Sequence, residues 1–174
     1  MDTNKNYSVL TLVGADQPGI VAAVADTLYQ QGCNLAQASM MRLGANFAIM
    51  LRVSHSPDDD LRQILSPVCE KMALHLHIDE DAASSQPAVD PDVQVTVYGA
   101  DRSGIVAQVT TLLAKAGLNI IDLETDVGGT EESPIYIMTL EGVATRGVDA
   151  LRAALDTLDA DIEINLDEIE TLRG

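Results

Sequence analysis

The chain has 174 residues, of which 47% are hydrophobic and 3% aromatic, and its formal net charge at pH 7 is −17. With 10 basic residues against 27 acidic ones, direct binding to DNA or RNA is not expected, because that affinity comes largely from Lys and Arg neutralising phosphates. The sequence has neither an apolar run of about 20 residues nor an N-terminal signal peptide, and its two cysteines make no disulfide framework. We therefore expect a cytoplasmic protein that has reduced thiols and does not bind membranes.

The predicted elements of the first half begin with a β-rich run over Tyr7–Val13 and the turn Gly14–Gly19. Helical apolar spacing follows, and this helix is predicted to end at Gly32. The residues assigned to its apolar face are Ile20, Val21, Val24, Ala25 and Leu28. The later elements are a strand that begins at Asn34-Leu35, the turn Leu43–Asn46, a strand over Phe47–Leu51, a helix with Leu61, Ile64, Leu65, Val68 and Met72 on its apolar face, and a strand over Leu74–Ile78.

The same pattern returns after residues 81–92, whose Ser, Pro and Ala content predicts an exposed linker. Residues 14–24 read GADQPGIVAAV and residues 99–109 read GADRSGIVAQV, a shift of 85 residues that indicates a duplicated unit. Ile49-Met50 matches Ile137-Met138 at a shift of 88, so the second hairpin is predicted to have gained three residues. The second set of elements is a strand over Val93–Tyr98, a helix with Ile105, Val106, Val109, Leu112 and Leu113 that ends at Gly117, a strand that begins at Asn119-Ile120, the turn Gly128–Pro134, a strand over Ile135–Thr139, a helix with Leu151, Ala154, Leu155 and Leu158, and a strand over Ile162–Leu166.

Each half therefore has the order β-α-β-β-α-β, which is the ferredoxin-like arrangement. We predict an α+β fold with one domain over residues 5–80 and another over residues 93–170. Each domain should be a four-stranded antiparallel sheet with two helices on one face. The sequence leaves open how the halves pack and whether the chain forms homo-oligomers.

The first turn and the end of the first helix resemble the ACT domain in both halves. The pattern D-x-x-G-[IV] occurs at Asp16–Ile20 and Asp101–Ile105, and G-x-N-[LI] occurs at Gly32–Leu35 and Gly117–Ile120. Two such units with almost nothing else resemble the glycine cleavage system transcriptional repressor family more closely than the ACT-bearing enzymes. The resemblance implies a non-catalytic, allosteric regulator without a cofactor. In such a regulator, paired ACT domains bind a small amino acid, such as glycine, and act on a transcription regulator protein.

The residue types at these turns also suit a ligand. A helix N-terminus offers free backbone N–H groups and partial positive charge to a carboxylate, and glycine lets a ligand approach the backbone. Aspartate can attract an ammonium group or cap the helix, and asparagine supplies a donor and an acceptor. The candidate ligand-binding residues are Asp16, Gln17, Gly19, Ile20 and Asn34 in the first half, and Asp101, Arg102, Gly104, Ile105 and Asn119 in the second.

Other interpretations of these residues remain open at this stage. The common turn D-R-P-G is altered to Gln17 in one copy and to Ser103 in the other, so unequal sites are a possibility. Alternatively, the Asp, Gly and Asn residues are only cap, turn and loop residues of a ligand-independent protein-interaction module. A stand-alone enzyme is the least expected class, because no nucleophile and base converge in the sequence.

The remaining reactive or unusual side chains are assigned structural roles. His75 and His77 share one face of a strand, but without a further ligand they are expected to face solvent and not to hold a metal. Cys33 is predicted to be buried and Cys69 to be partly buried. The methionines predicted to fill a core or an interface are Met40, Met41, Met50, Met72 and Met138.

Overall fold

The structure is a computed structural model, and it describes residues 5–80, 89–100, 104–130, 133–158 and 162–169. The chain divides into two compact units, Met1–Gln86 and Pro87–Gly174. Of the predicted linker 81–92, residues 81–88 lie outside the described residues, and residues 89–92 form no helix or strand. In the described part of the chain, no helix is long and apolar enough to cross a membrane.

Both units have the predicted order β-α-β-β-α-β. The first contains β1 (Asn6–Ala15), α1 (Ile20–Gln30), β2 (Asn34–Leu43), β3 (Asn46–His55), α2 (Leu61–Lys71) and β4 (His75–Glu80). The second contains β5 (Val93–Ala100), α3 (Ile105–Ala116), β6 (Leu118–Thr130), β7 (Ser133–Ala144), α4 (Val148–Leu155) and β8 (Glu163–Glu168). Each unit is one antiparallel sheet, with strand orders β2-β3-β1-β4 and β6-β7-β5-β8. The ferredoxin-like prediction is confirmed.

Burial alternates along the strands because helices cover one face of each sheet. In β1 the buried side chains are Ser8, Leu10 and Leu12, and α1 adds Ile20, Val24 and Leu28 at helical spacing. The equivalent residues of the second unit, which are all buried too, are Val93, Val95, Val97, Ile105, Val109 and Leu113. The prediction for Val21 was wrong: it is 41% exposed, because it lies one position outside this stripe. We call the two sides of each sheet its helix face and its open face.

Cross-strand pairing corrects the predicted alignment of the third strands. Leu10 pairs with Leu51, and Val95 pairs with Leu140, so the third strands correspond at a shift of 89 and not 88. A slip of one residue moves every side chain to the other face of the sheet. Accordingly Met50 is 54% exposed on an open face, whereas Met138 is fully buried on a helix face. The shared letters Ile-Met are therefore a coincidence of sequence.

The second hairpin has gained four residues, not three, and they extend its strands. In the first unit Leu43 pairs with Asn46 across a two-residue turn. The equivalent pair of the second unit is Gly128 with Ile135, and two further pairs continue to Thr130 and Ser133. Most of the predicted turn Gly128–Pro134 is therefore strand, because the added residues are divided equally between the two arms.

The exposed methionines lie at the surface of the first sheet. Met40, Met41 and Met50 have 57%, 61% and 54% of their surface exposed, so they do not fill a core, and their predicted place in an interface stays a prediction. Met138 is in the core of the second unit, and Met72 is half-buried against the core of the first. Met40 and Met41 are exposed because they lie on edge strand β2, which is exposed along its whole length.

A buried Ser–His pair joins the start of β1 to the end of β3. His55 Nδ1 lies 2.8 Å from the carbonyl oxygen of Ser56, which can only accept, so Nδ1 carries the proton. In the tautomer with the proton on Nδ1, Nε2 accepts from the Ser8 hydroxyl at 2.9 Å. The second unit has Val93 and Ala144 at these positions, so apolar side chains replace the hydrogen-bonded pair.

Replacing Ser8 by alanine is expected to destabilise the first unit by about 1–3 kcal/mol, because it leaves the buried Nε2 of His55 without a donor. Ser39→Ala is the matched control, since Ser39 is exposed on β2, and it is expected to change stability by less than about 0.5 kcal/mol. Urea unfolding of the two variants measures the difference. Equal losses would mean that the Ser8–His55 bond makes no net contribution.

Candidate functional site

The glycine that precedes the first helix of each unit has the same backbone conformation. Gly19 and Gly104 precede α1 and α3 with φ of 90° and 88°, in the left-handed region that favours glycine. A Cβ built on either glycine would meet nothing within 4 Å. The conformation therefore requires glycine while the space beside it is open, so a ligand could approach the backbone of either turn.

Among the described residues, no side chain caps the N-terminus of α1 or α3. The first N–H groups of a helix have no partner within the helix, and in α2 the Asp60 carboxylate accepts one of them from Gln63 at 3.0 Å. No such bond is present at α1, nor at α3 from the residues that the structure describes, and neither first turn contains an acidic residue. The N-terminus of α1 therefore keeps partial positive charge and N–H groups without a side-chain cap, which suits an anion.

Asp16 forms an ion pair and does not cap the helix. Its Oδ2 lies 3.3 Å from Nη1 of Arg42 on β2, and the two side chains are 34% and 67% exposed. The backbone N–H of Asp16 also donates to the carbonyl of Ala45 at 2.8 Å, which ties the turn to the β2–β3 hairpin. Sequence reasoning missed Arg42, because only strand pairing brings it beside the turn.

Gln17 has a structural partner inside the first unit. Its side-chain amide donates to the carbonyl of Met72 at 2.9 Å, where Met72 is the C-terminal cap of α2. Ile20 and Ile105 are only 2% and 3% exposed and belong to the two cores. At these two positions only the backbone N–H could contact a ligand, since the side chains are covered.

The structure separates the two asparagines from the turns of their own units. Asn34 pairs with Ser54, which also pairs with Tyr7 at the beginning of β1, whereas the turn follows Ala15 at its end. Eight residues of β1, about 26 Å, separate Tyr7, which lies beside Ser54 and Asn34, from Ala15, which precedes the turn. Asn119 lies at the corresponding end of the second sheet, opposite Val143. Asp16 and Asn34 therefore do not form one site within a unit.

The second turn is only partly described. Asp101 and Arg102 lie outside the described residues, so only Gly104, Ile105 and Asn119 are placed there. The second unit has Val127 at the position of Arg42, and its arginine is in the turn sequence itself. Each turn thus has one arginine associated with it, but from different elements.

Two other possible centres in the described residues do not support catalysis or metal binding. Ser8 and His55 are 1% and 6% exposed, so a substrate cannot reach them. No group of three or more His, Cys, Asp or Glu in the described ranges could hold a metal, and His75 and His77 are exposed as expected. Surface grooves of about 410 and 460 Å³ lie beside β4 and β8 respectively, and the first groove is lined by Ala73 and Leu74, which adjoin Gly14 of the first turn.

Both cysteines are buried free thiols, with exposures of 6% for Cys33 and 7% for Cys69. The prediction for Cys33 is confirmed, and Cys69 is more buried than predicted. Burial raises the pKa of both thiols above the usual range. The Asp59 carboxylate, with Oδ2 at 4.0 Å from Sγ of Cys33, raises the pKa of that thiol further.

We expect iodoacetamide to label neither cysteine of the native protein at pH 7.5 and to label both in urea, because the reactive form is the exposed thiolate. A raised pKa also stabilises the fold while the thiol is protonated, and this contribution is lost as pH rises through the folded-state value. The Cys33→Ala/Cys69→Ala variant should therefore lose less stability than the wild type above about pH 8.5. Labelling of native protein at the rate of unfolded protein would contradict the assignment.

Comparison with known proteins identifies the domain family of both units. One ACT domain family model matches residues 6–79, and a second ACT domain family model matches residues 93–160. A glycine cleavage system transcriptional repressor of Escherichia coli strain K12 is 26% identical over 123 residues, which are 70% of this chain and 65% of that protein. The chain thus spans somewhat less than two thirds of the length of that curated relative.

Two solved structures share the fold over nearly the whole chain. A protein of unknown function from Galdieria sulphuraria is 25% identical, with a TM-score of 0.77, and the match covers 95% of this chain and 99% of that one. A candidate glycine cleavage system transcriptional repressor is 19% identical, with a TM-score of 0.70 over 96% and 99% of the two chains. The second likeness concerns the fold alone.

Proposed function

Because the chain belongs to the ACT-domain family, of which it carries two copies, we propose that it is a non-catalytic regulator that binds a small amino acid at the turns before α1 and α3. The observation that carries the proposal is the first turn. There the carboxylate of Asp16, the guanidinium of Arg42 and the uncapped N-terminus of α1 meet at one exposed place. A free amino acid has one ammonium and one carboxylate group, which these anionic and cationic groups complement.

The positions of Asn34 and Asn119 suggest that a complete site needs another ACT unit. All residues of β2 are exposed, and its end, Leu43, lies in the row of Asn46 and Ala15, next to the turn. Antiparallel pairing of two such edges would place the start of one β2 beside the end of the other. Asn34 of one unit would then lie near the Asp16 turn of another, in keeping with the paired ACT domains that the resemblance implies.

We further propose that the ligand changes the binding of a transcription regulator protein, and that glycine is the first ligand to test. The name of the Escherichia coli relative supports a role in repressing glycine cleavage. The net charge of −17 favours action through a protein over direct contact with DNA. Such a signal requires that the ligand bind two conformations of the protein with different affinity.

Isothermal titration of the full chain with glycine and the other amino acids tests the ligand site. For the amino acid that binds, Asp16→Asn is expected to raise Kd at least about 10-fold, or about 1.4 kcal/mol, because the ammonium group loses its anionic partner. Asp26→Asn is the matched control, since Asp26 is exposed on α1, the helix that follows the turn, and accepts a hydrogen bond from Gln30. Absence of heat and of a thermal shift with every amino acid would refute the sensor function.

The alternative is a ligand-independent interaction module, and two contacts favour it. The Asp16 carboxylate already has Arg42, and the Gln17 amide already has the Met72 carbonyl. A Gly19→Val/Gly104→Val variant separates the two functions. If it folds and still binds the regulator, and no metabolite affects that binding in the wild type, the interaction module is correct.

A further inference from the structure

The open faces of the two sheets have diverged in charge. In the first sheet three successive rows contain Met41, Ala48, Val13 and His75, then Ser39, Met50, Thr11 and His77, then Gln37, Arg52, Val9 and Asp79. In the second sheet the same rows contain Asp126, Ile137, Tyr98 and Glu163, then Glu124, Thr139, Thr96 and Asn165, then Asp122, Glu141, Gln94 and Asp167. With His neutral, these 12 positions sum to a formal charge of 0 in the first sheet and −6 in the second.

The neutral face is also apolar and exposed. Met41, Met50 and Val13 are 61%, 54% and 41% exposed, and they are close neighbours in two adjacent rows. Leu43 and Tyr7, at opposite ends of the face, are 72% and 40% exposed. A contiguous apolar patch of this kind on a soluble surface marks a place where another protein binds. At the equivalent positions of the second sheet, Asp126 replaces Met41 and Thr139 replaces Met50.

We propose that the open face of the first sheet binds the same face of a second copy of the chain. A chain with a net charge of −17 repels its own copy over most of its surface, and the repulsion is weaker at this neutral face than at the open face of the second sheet. The face is also self-complementary, because Arg52 and Asp79 lie in one row. A two-fold axis parallel to the strands and between β1 and β3 places Arg52 of each copy across from Asp79 of the other, with a sideways offset of about one strand spacing, 4.8 Å, between sheets about 10 Å apart.

The size of the face indicates a reversible dimer. Four strands about 4.8 Å apart and eight residue steps of about 3.3 Å along each strand give a face of roughly 19 by 26 Å, or about 500 Å². A stable specific interface buries about 800 Å² per partner, so the affinity is expected in the micromolar range. The same operation on the second sheet would oppose six carboxylates to six carboxylates, so that face is expected to stay in water.

Sedimentation velocity of the full chain from about 1 to 200 µM tests the proposal. Met41→Asp introduces the residue type that the second sheet has at the equivalent position, Asp126, and it is expected to raise the dimer Kd at least 10-fold. Met40→Asp is the matched control, because Met40 immediately precedes Met41 on β2 and is 57% exposed on the opposite side of the sheet. It is expected to leave Kd within twofold. Circular dichroism checks that each variant folds. If Met41→Asp does not fold, Met50→Thr is used in its place.

Salt and charge reversal identify the mode of association. Raising salt from 50 to 300 mM should strengthen the dimer, because it screens the repulsion between two acidic chains. Arg52→Asp should weaken the dimer, and Arg52→Asp/Asp79→Arg should restore part of the affinity.

Four results would overturn the proposal. They are a wild type that is monomeric at 200 µM and 300 mM salt, a dimer that Met41→Asp leaves unchanged, equal losses from Met40→Asp and Met41→Asp, and a monomer whose first sheet binds only a different protein.

Discussion

Replacing Met138 by alanine is expected to destabilise the second unit by about 2–5 kcal/mol, whereas Met50→Ala is expected to cost less than about 1 kcal/mol. Met138 is fully buried on β7, opposite the buried Val97, so the truncation leaves a cavity in the core. Met50 is 54% exposed on β3, so its truncation removes surface that is largely in contact with water. The contrast follows from the shift of 89 between the third strands, because a shift of 88 would make these two methionines equivalent.

Urea unfolding followed by circular dichroism, at a protein concentration near 1 µM, measures both losses. The low concentration keeps self-association from contributing to the Met50 value. Similar losses for the two variants would refute the register and restore the alignment that the sequence suggests. A large loss at Met50 alone would reverse the assignment of the two faces.

Gly142→Ala is the second change with a large expected effect, because it is expected to lower the free energy of unfolding of the second unit by about 1–3 kcal/mol. A Cβ at Gly142 would lie 2.5 Å from the backbone oxygen of Asn119 and 2.9 Å from Cδ1 of Leu118. Gly142 pairs with Ile120, next to the bulge at Ile121, where β6 comes close to β7. A backbone oxygen cannot move aside as a flexible side chain can, so the strain is expected to persist.

Gly128→Ala provides the control for Gly142→Ala within the same sheet. The nearest atom to its added Cβ is Cδ1 of Ile137 at 3.6 Å, which is ordinary van der Waals contact. Its φ is not in the left-handed region, so alanine is expected to leave stability unchanged or to raise it by about 0.4–1 kcal/mol. Thermal melts of the two variants compare them directly. A Gly142→Ala protein as stable as Gly128→Ala would show that β6 can relax away from β7.

The features that the sequence predicted correctly depend on local signals. Helical spacing and the glycines after α1 and α3 predict where those helices run, and Gly32 and Gly117 have the left-handed φ of 75° and 97° that helix ends favour. Alternation predicts the strands, and the exact recurrence of GAD-x-x-GIVA indicates the duplication. The order of elements then specifies the ferredoxin-like topology, because few arrangements fit β-α-β-β-α-β.

The features that the sequence did not predict depend on which residues pair across strands. Comparing the two halves of the sequence could not distinguish a shift of 88 from one of 89 between the third strands, because both align two apolar strands. The cross-strand pairing gives 89, which places Met138 in the core and Met50 at the surface. Arg42 reaches Asp16 only through the β2–β3 hairpin, 26 positions later in the chain. Asn34 follows the helix that begins at the turn, but the length of that helix carries the chain back to the opposite end of the sheet.

The equal growth of the two arms in the second hairpin constrains how the copies can diverge in length. Leu43–Asn46 and Thr130–Ser133 each enclose two residues, so the four-residue difference is two per arm. Equal additions keep every older residue on its own face of the sheet, whereas an unequal addition would need a longer loop or a bulge to absorb the remainder. At this tip, insertions and deletions during evolution are therefore expected to accumulate in even numbers. An odd difference between related chains would indicate that the turn itself has changed type.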